Sequence, residues 1–144
     1  MARSRLTLGI HLGHDRGAAV IQDGLLVGQL AQERIDRRKH SPSPEVPYAA
    51  IDALLGYLRV KPSDIAAVGF SYTNVAVDTI TPQFVDELQE HYGMPHWRIV
   101  GVHHHDCHAF STFYTSGFSN ALVLVADGAG DIVGERLEAE TLYV

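Results

Sequence analysis

Nine histidines stand in the 144 residues, and five of them fall between His96 and His108. Within the run Val102-His103-His104-His105-Asp106-Cys107-His108-Ala109, His104 and His108 are four residues apart. On a helix that spacing puts both imidazoles on one face, a turn apart. Two ring nitrogens so placed can bind one divalent ion. Two ligands do not make a site, and the pair alone reads at least as readily as surface or capping residues. Asp127 changes the balance. It follows the apolar stretch 121–126 and opens the run Asp127-Gly128-Ala129-Gly130-Asp131. A carboxylate at the C-terminal end of a buried strand faces the crevice where α/β folds bind ligands. As a third ligand it gives two histidines and one carboxylate with positions left open, a set suited to iron or another first-row metal. Otherwise it is a plain turn residue.

Gly128 and Gly130 let the backbone approach a ligand closely, and their amides are candidates to cradle phosphate oxygens. An earlier turn is their counterpart. Gly13 and Gly17 frame His14 and Asp15 at the end of the first apolar segment. His14 there is a candidate general base or hydrogen-bond partner for a reacting carbonyl, or a turn histidine with no role. Cys107, three residues after His104, reads better as a packed small apolar residue than as a ligand. His103 and His105 point away from the pair, with His105 the better placed to touch a nucleotide or the sheet. The cluster Arg34, Arg37, Arg38, Lys39 and His40 is either a solvated face or an anion site.

These residues need a scaffold. Alternating apolar residues predict strands over 6–12, 18–22 and 25–32, with a tight hairpin at Asp23-Gly24. Three prolines and two serines make 41–47 a loop. Ile51, Leu54, Leu55 and Leu58 predict a helix over 48–58. A strand follows at 65–70, then a helix at 82–92 with Pro82 near its start. A strand over 97–102, a helix over 104–115, and strands over 121–126 and 135–144 complete the order. The first eight elements, β-β-β-α-β-α-β-α, fit an α/β ribonuclease-H-like layer with a mixed sheet. The final hairpin repeats the pattern of the first, an apolar strand, a Gly/Asp-rich turn and a second strand. That repeat predicts a first half over 1–120 and the truncated start of a second half over 121–144.

Composition narrows the function classes. The hydrophobic share is 46 %, a globular value. No apolar run approaches the roughly 18 residues of a membrane span, and no signal-peptide apolar region follows the N-terminal arginines. A net charge of -6 argues against an electrostatic nucleic-acid binder. Cys107 is the single cysteine, so no intrachain disulfide forms. The expectation is a cytoplasmic chain with neither nucleic acid nor membrane as partner.

The motifs together resemble a known family. The run Gly13-His14-Asp15 through Ala18-Ala19, then Gln32-Glu33-Arg34-Ile35-Asp36-Arg37-Arg38-Lys39-His40, resembles the GHD-x-x-A-A turn and E-E-R-x-x-R-x-K-H segment of the O-carbamoyltransferases of nodulation-factor and antibiotic biosynthesis. His104-His105-Asp106-Cys107-His108-Ala109, Ser116-Gly117-Phe118 and Asp127-Gly128-Ala129-Gly130-Asp131 resemble that family's HH-x-x-HA, S-P-F and DG-x-GE motifs. The resemblance implies an actin-like ATPase fold, similar to the tRNA threonylcarbamoyl-transfer proteins. It implies that carbamoyl phosphate and ATP yield a carbamoyl-adenylate, whose carbamoyl group passes to a hydroxyl of a small natural product. It implies a metal, iron(II), on His104, His108 and Asp127, with a further carboxylate from a second half. It places His14 and Lys39 at the transfer site, where a cation would stabilise an oxyanion or phosphate. Arg16-Gly17, Gly117 and Asp131 depart from the family's pattern, and family members are much longer.

Two function classes follow: a truncated or split ATP-dependent carbamoyltransferase whose active site is completed by another chain, or a non-catalytic remnant that keeps metal or nucleotide affinity or merely pairs with a partner. A sugar-kinase or chaperone-type ATPase half is a weaker third, since those proteins need no histidine pair. The edge of the hairpin 121–144 is expected to pair with a completing chain or a second copy.

Overall fold

The computed structural model describes residues 5–39, 45–73 and 75–144. Strands β1 (Leu6–His11), β2 (Gly17–Gln22) and β3 (Leu25–Ala31) form an antiparallel meander. The β2–β3 turn carries Asp23 at φ 50° and Gly24 at φ 86°. Both central residues lie in the left-handed region, the geometry that matches the twist of a two-residue hairpin. The register slips between Val20 and Ile21, so β3 bulges at Val27.

A short helix, α1 (Glu33–Asp36), follows and was not expected; four residues with no buried side chain leave no apolar period to read. Residues 40–44, most of the expected proline-rich loop and His40 of the basic segment, lie outside the described residues. Helix α2 (Tyr48–Leu58) agrees with its apolar spacing and turns Ile51, Leu54 and Leu55 into the core. Gly28 of β3 lies beneath it. A Cβ there would sit 2.9 Å from Leu54 Cδ1, so a larger residue would require that leucine to shift.

Strand β4 (Ile65–Ser71) pairs parallel with β1, and β5 (Ile99–Gly101) pairs parallel with β4. The five-stranded sheet therefore runs β3-β2-β1-β4-β5. Between β4 and β5 lies helix α3 (Val77–Tyr92), five residues longer at its start than Pro82 implied. The amide and hydroxyl of Thr79 both donate to the Ala76 carbonyl and close a turn ahead of the proline. The strand expected over 97–102 is shorter, because His96–Arg98 is a turn of 3-10 helix. Leu8, Ile10, Val20, Val68 and Phe70 from the sheet pack with Ile51, Leu54, Phe84, Val85 and Leu88 from α2 and α3 in one core.

Helix α4 (His104–Ser116) follows β5 and packs on β6 (Val123–Ala126). The segment expected as one strand over 135–144 is broken. Strands β7 (Ile132–Val133) and β8 (Arg136–Leu137) make a small hairpin, and β9 (Glu140–Tyr143) returns to pair antiparallel with β6. Strands β6 and β9 form their own ribbon, apart from the five-stranded sheet. No helix among the described residues is long and apolar enough to cross a membrane.

Candidate metal centre

Helix α4 begins where the backbone leaves β5. Val102 N–H donates to the Phe70 carbonyl, and the first helical bond runs from Cys107 N–H to the His103 carbonyl. Starting the helix there puts His104 and His108 on one side, as their spacing requires. Asp127 reaches the same point from the end of β6, where its own N–H is fixed to the Ala139 carbonyl of the neighbouring segment.

The three side chains converge. His104 Nε2 lies 2.8 Å from Asp127 Oδ2, His108 Nε2 lies 3.0 Å from His104 Nε2, and His108 Nε2 lies 3.4 Å from Asp127 Oδ2. Metal–ligand bonds of about 2.1 Å meeting at about 90–110° hold their donor atoms about 3.0–3.4 Å apart. The donors thus already have the mutual spacing of one face of a coordination sphere. His104 is buried, Asp127 is partly buried and His108 is exposed, so the cluster opens to solvent on one side. Burial pushes the Asp127 carboxyl up, but the His104 imidazole, the Gly128 amide and the His108 ring together outweigh it. The group therefore ionises below the ordinary carboxylate range and stands ready as an anionic oxygen donor. His104 Nδ1 is buried without a hydrogen-bond partner among the described residues, so the polar contacts given for this ring run through Nε2.

The other predicted residues fall in different places. Gly128 N–H donates to Asp127 Oδ1 at 2.6 Å, and a Cβ on Gly128 would meet nothing within 4 Å. Gly130 N–H donates to the Glu138 carbonyl at 2.7 Å, so that amide serves the hairpin. Its lack of a side chain has another use: a Cβ would come within 2.6 Å of His105 Nε2 and 2.9 Å of Glu138 Cβ. His14 is exposed, with Nδ1 2.8 Å from Asp15 Oδ2. Lys39 is exposed in the turn beyond α1. Arg16 is buried, and its guanidinium reaches both Asp36 and Glu45, tying the first turn to α1.

His11 and Asp131, to which the spacing gave no role, complete the surroundings together with His105. His11, the last residue of β1, stacks at a tilt on His104 with ring centroids 5.6 Å apart, and its Nδ1 meets Ser71 Oγ at 3.0 Å. Burial first, then the neighbouring His104 and His14, lower its pKa to about 4. His14 and His104 thus both lie within electrostatic range of one ring. A strand histidine gives no periodic signal, and only parallel pairing of β1 with β4 brings it here. Asp131 is fully buried; its Oδ2 accepts from the His104 N–H at 2.9 Å and contacts His103 Nδ1 at 3.0 Å. His105 is also fully buried and bonds Thr141 Oγ1 at 2.6 Å through Nδ1, so it touches the ribbon. Tyr143 donates to Asp106 Oδ1 at 2.7 Å. These contacts clamp the start of α4 to β9.

No family model matches the chain. It is similar to a nodulation protein. The nodulation protein NolNO of Sinorhizobium fredii is 30% identical over 144 residues, covering 86% of this chain and 21% of that protein. Uncharacterized proteins of Methanocaldococcus jannaschii and Synechocystis are 27% and 28% identical, over 88% and 82% of this chain. The chain spans 21–24% of the length of these three relatives. Among solved structures, YeaZ from Pseudomonas aeruginosa matches with a TM-score of 0.56 at 14% identity, covering 96% of this chain and 66% of that one. At that identity the likeness concerns the fold, which is α/β of the ribonuclease-H-like, actin-like type.

Proposed function

We propose that this chain is part of an ATP-dependent O-carbamoyltransferase, and that it supplies a divalent-metal site for binding a carbamoyl-adenylate. The observation that carries the reading is the convergence of His104, His108 and Asp127 within 3.4 Å of one another. These are the positions to which the motif resemblance assigns the metal. The similarity to NolNO supports the nodulation branch of that family, and the fold shared with YeaZ supports the actin-like scaffold.

The reaction in this reading joins the acceptor hydroxyl oxygen to the carbamoyl carbon and breaks the bond from that carbon to the adenylate phosphate. AMP leaves, and the hydroxyl proton needs a base. His14 is suited to take it, because Asp15 at Nδ1 favours the tautomer whose Nε2 carries the lone pair. Lys39 would place positive charge near the departing phosphate. An iron(II) ion on His104, His108 and Asp127 would neutralise phosphate charge as a Lewis acid. His104 is the buried member that orients the set, and the exposed His108 closes it from the solvent side. Carbamoyl phosphate and ATP are the substrates in this reading, and a small hydroxyl-bearing natural product is the acceptor.

Anaerobic calorimetry with iron(II) tests the metal part, with His108→Ala alongside. The expected result is one equivalent bound at this centre and lost in the variant. Binding unchanged in His108→Ala would sink the reading. For the transfer part, a fluorescent non-hydrolysable carbamoyl-adenylate analogue should bind more tightly with iron(II) present than without it.

A further inference from the structure

A second group of donors lies next to the first and takes no part in it. We propose that His103, Asp131 and Glu138 form a separate site for a divalent cation of the manganese(II) type. Their donor atoms lie within 4.8 Å of one another. His103 Nδ1 and Asp131 Oδ2 are 3.0 Å apart, again the spacing of two adjacent ligands on one ion. Glu138 Oε2 is 3.4 Å from the Asp131 N–H.

The backbone builds this arrangement. Glu138 N–H donates to the Asp131 carbonyl at 2.9 Å, and Gly130 N–H donates to the Glu138 carbonyl at 2.7 Å. Asp131 and Glu138 are thereby fixed as neighbours across the hairpin, and His103 enters from the residue before α4. Two chain segments thus hold an imidazole and two carboxyl groups at positions directly flanking α4, β7 and β8, where the backbone bonds just named fix them.

Two features point to a cation. Asp131 is completely buried, and its Oδ1 has no hydrogen-bond partner among the described residues. A buried carboxyl oxygen left without a partner is costly, and an ion beside it removes that cost. Charge balance points the same way. Two carboxyl groups face one imidazole, whose single positive charge would offset one of them; a divalent ion offsets both. Two oxygens and one nitrogen form a harder donor set than the two nitrogens and one oxygen of the first cluster, which favours manganese(II) here. Glu138 is partly buried and has three side-chain torsions, so it can close the last distance on binding.

The test is a manganese(II) titration of the whole chain, counting bound ion by loss of the free-ion electron paramagnetic resonance signal. Two equivalents are expected. Glu138→Gln and His103→Gln should each weaken one of them by at least about tenfold and leave the other. His108→Ala should do the reverse. Both new variants change partly exposed side chains, and circular dichroism checks that they fold. One equivalent in total, or two that Glu138→Gln and His103→Gln leave unchanged, overturns the inference. A single equivalent that only His108→Ala removes would overturn the inference and leave the first centre standing, so the two readings fail separately.

Discussion

Asp131 Oδ2 accepts the backbone N–H of His104 at 2.9 Å, so a residue beyond β6 satisfies the open N-terminus of α4. The first turn of a helix has N–H groups with no partner of their own, and a carboxylate there is also favoured by the helix dipole. The same contact fixes His104, the first member of the proposed metal centre.

Asp131→Ala should therefore act on both stability and binding. Removing a buried partner of the His104 N–H and of His103 is expected to cost about 2–3 kcal/mol. Urea unfolding of the metal-free chain measures it. Iron(II) affinity should fall about 10- to 100-fold, as when an outer group that orients a ligand is removed. Unchanged affinity would mean that Asp131 does not position His104.

Two glycine substitutions separate packing from backbone strain. In Gly130→Ala the new methyl meets the His105 ring, so a loss of about 1–3 kcal/mol is expected. The double variant with His105→Ala should show a smaller loss than the two single changes combined. Gly24→Ala meets nothing within 4 Å, yet its φ of 86° disfavours a side chain. It should cost about 1 kcal/mol, whatever residue stands at 105.

His11 gives the metal-free chain a pH dependence. Its pKa is lowered from 6.5 to about 4, by burial first and then by His104, His14 and His108, with Asp15 opposing. Below pH 6.5 the unfolded chain takes up a proton here that the folded chain refuses until about pH 4. The stabilising effect is therefore full above 6.5 and is lost as pH falls from 6.5 towards 4. The loss would reach at most about 3 kcal/mol. Urea midpoints at pH 7 and pH 5 should differ less in His11→Gln than in the unaltered chain. Equal differences would contradict the assignment to His11.

The Cys107 thiol should react slowly. Burial pushes its pKa up; the Ser71 hydroxyl opposes this, while Asp106 and Asp131 add to it. Thiolate, the reactive form, is then scarce near neutral pH. Labelling with a disulfide reagent at pH 7.5 should be at least tenfold slower in the folded chain than in urea, and slower still in Ser71→Ala. Fast labelling of the folded chain would show that this picture of the thiol is wrong.

How far the chain's own letters led depends on what each feature needs. Apolar alternation and Asp23-Gly24 sufficed for the meander, because a hairpin is a local object. The four-residue step from His104 to His108 was readable for the same reason. The meeting of that pair with Asp127 could be suspected from a carboxylate at a strand end, but its geometry depends on β6 lying against α4. His11 and Asp131 were not singled out. One owes its place to parallel pairing across 60 residues, and the other to a helix end that borrows its cap from 27 residues away. The start of α3 was missed because proline marks the first turn of a helix only when no earlier turn forms, and Thr79 forms one. Gly130 reads as a candidate phosphate-binding glycine; the fold adds a packing reason for the same residue, because a Cβ there would meet the buried His105 ring.

The separation of His104 and Asp127 along the chain, 23 residues, has a mechanical consequence. An ion bridging them would act as a removable staple. It would close a loop containing nearly all of α4, the connection to β6 and the whole of that strand, and so restrict the unfolded chain much as a covalent link of that span does. Chelation would then cut the staple without altering a single covalent bond. The resistance of the ribbon to mechanical pulling or to proteases would follow the free-ion concentration of the solution around it.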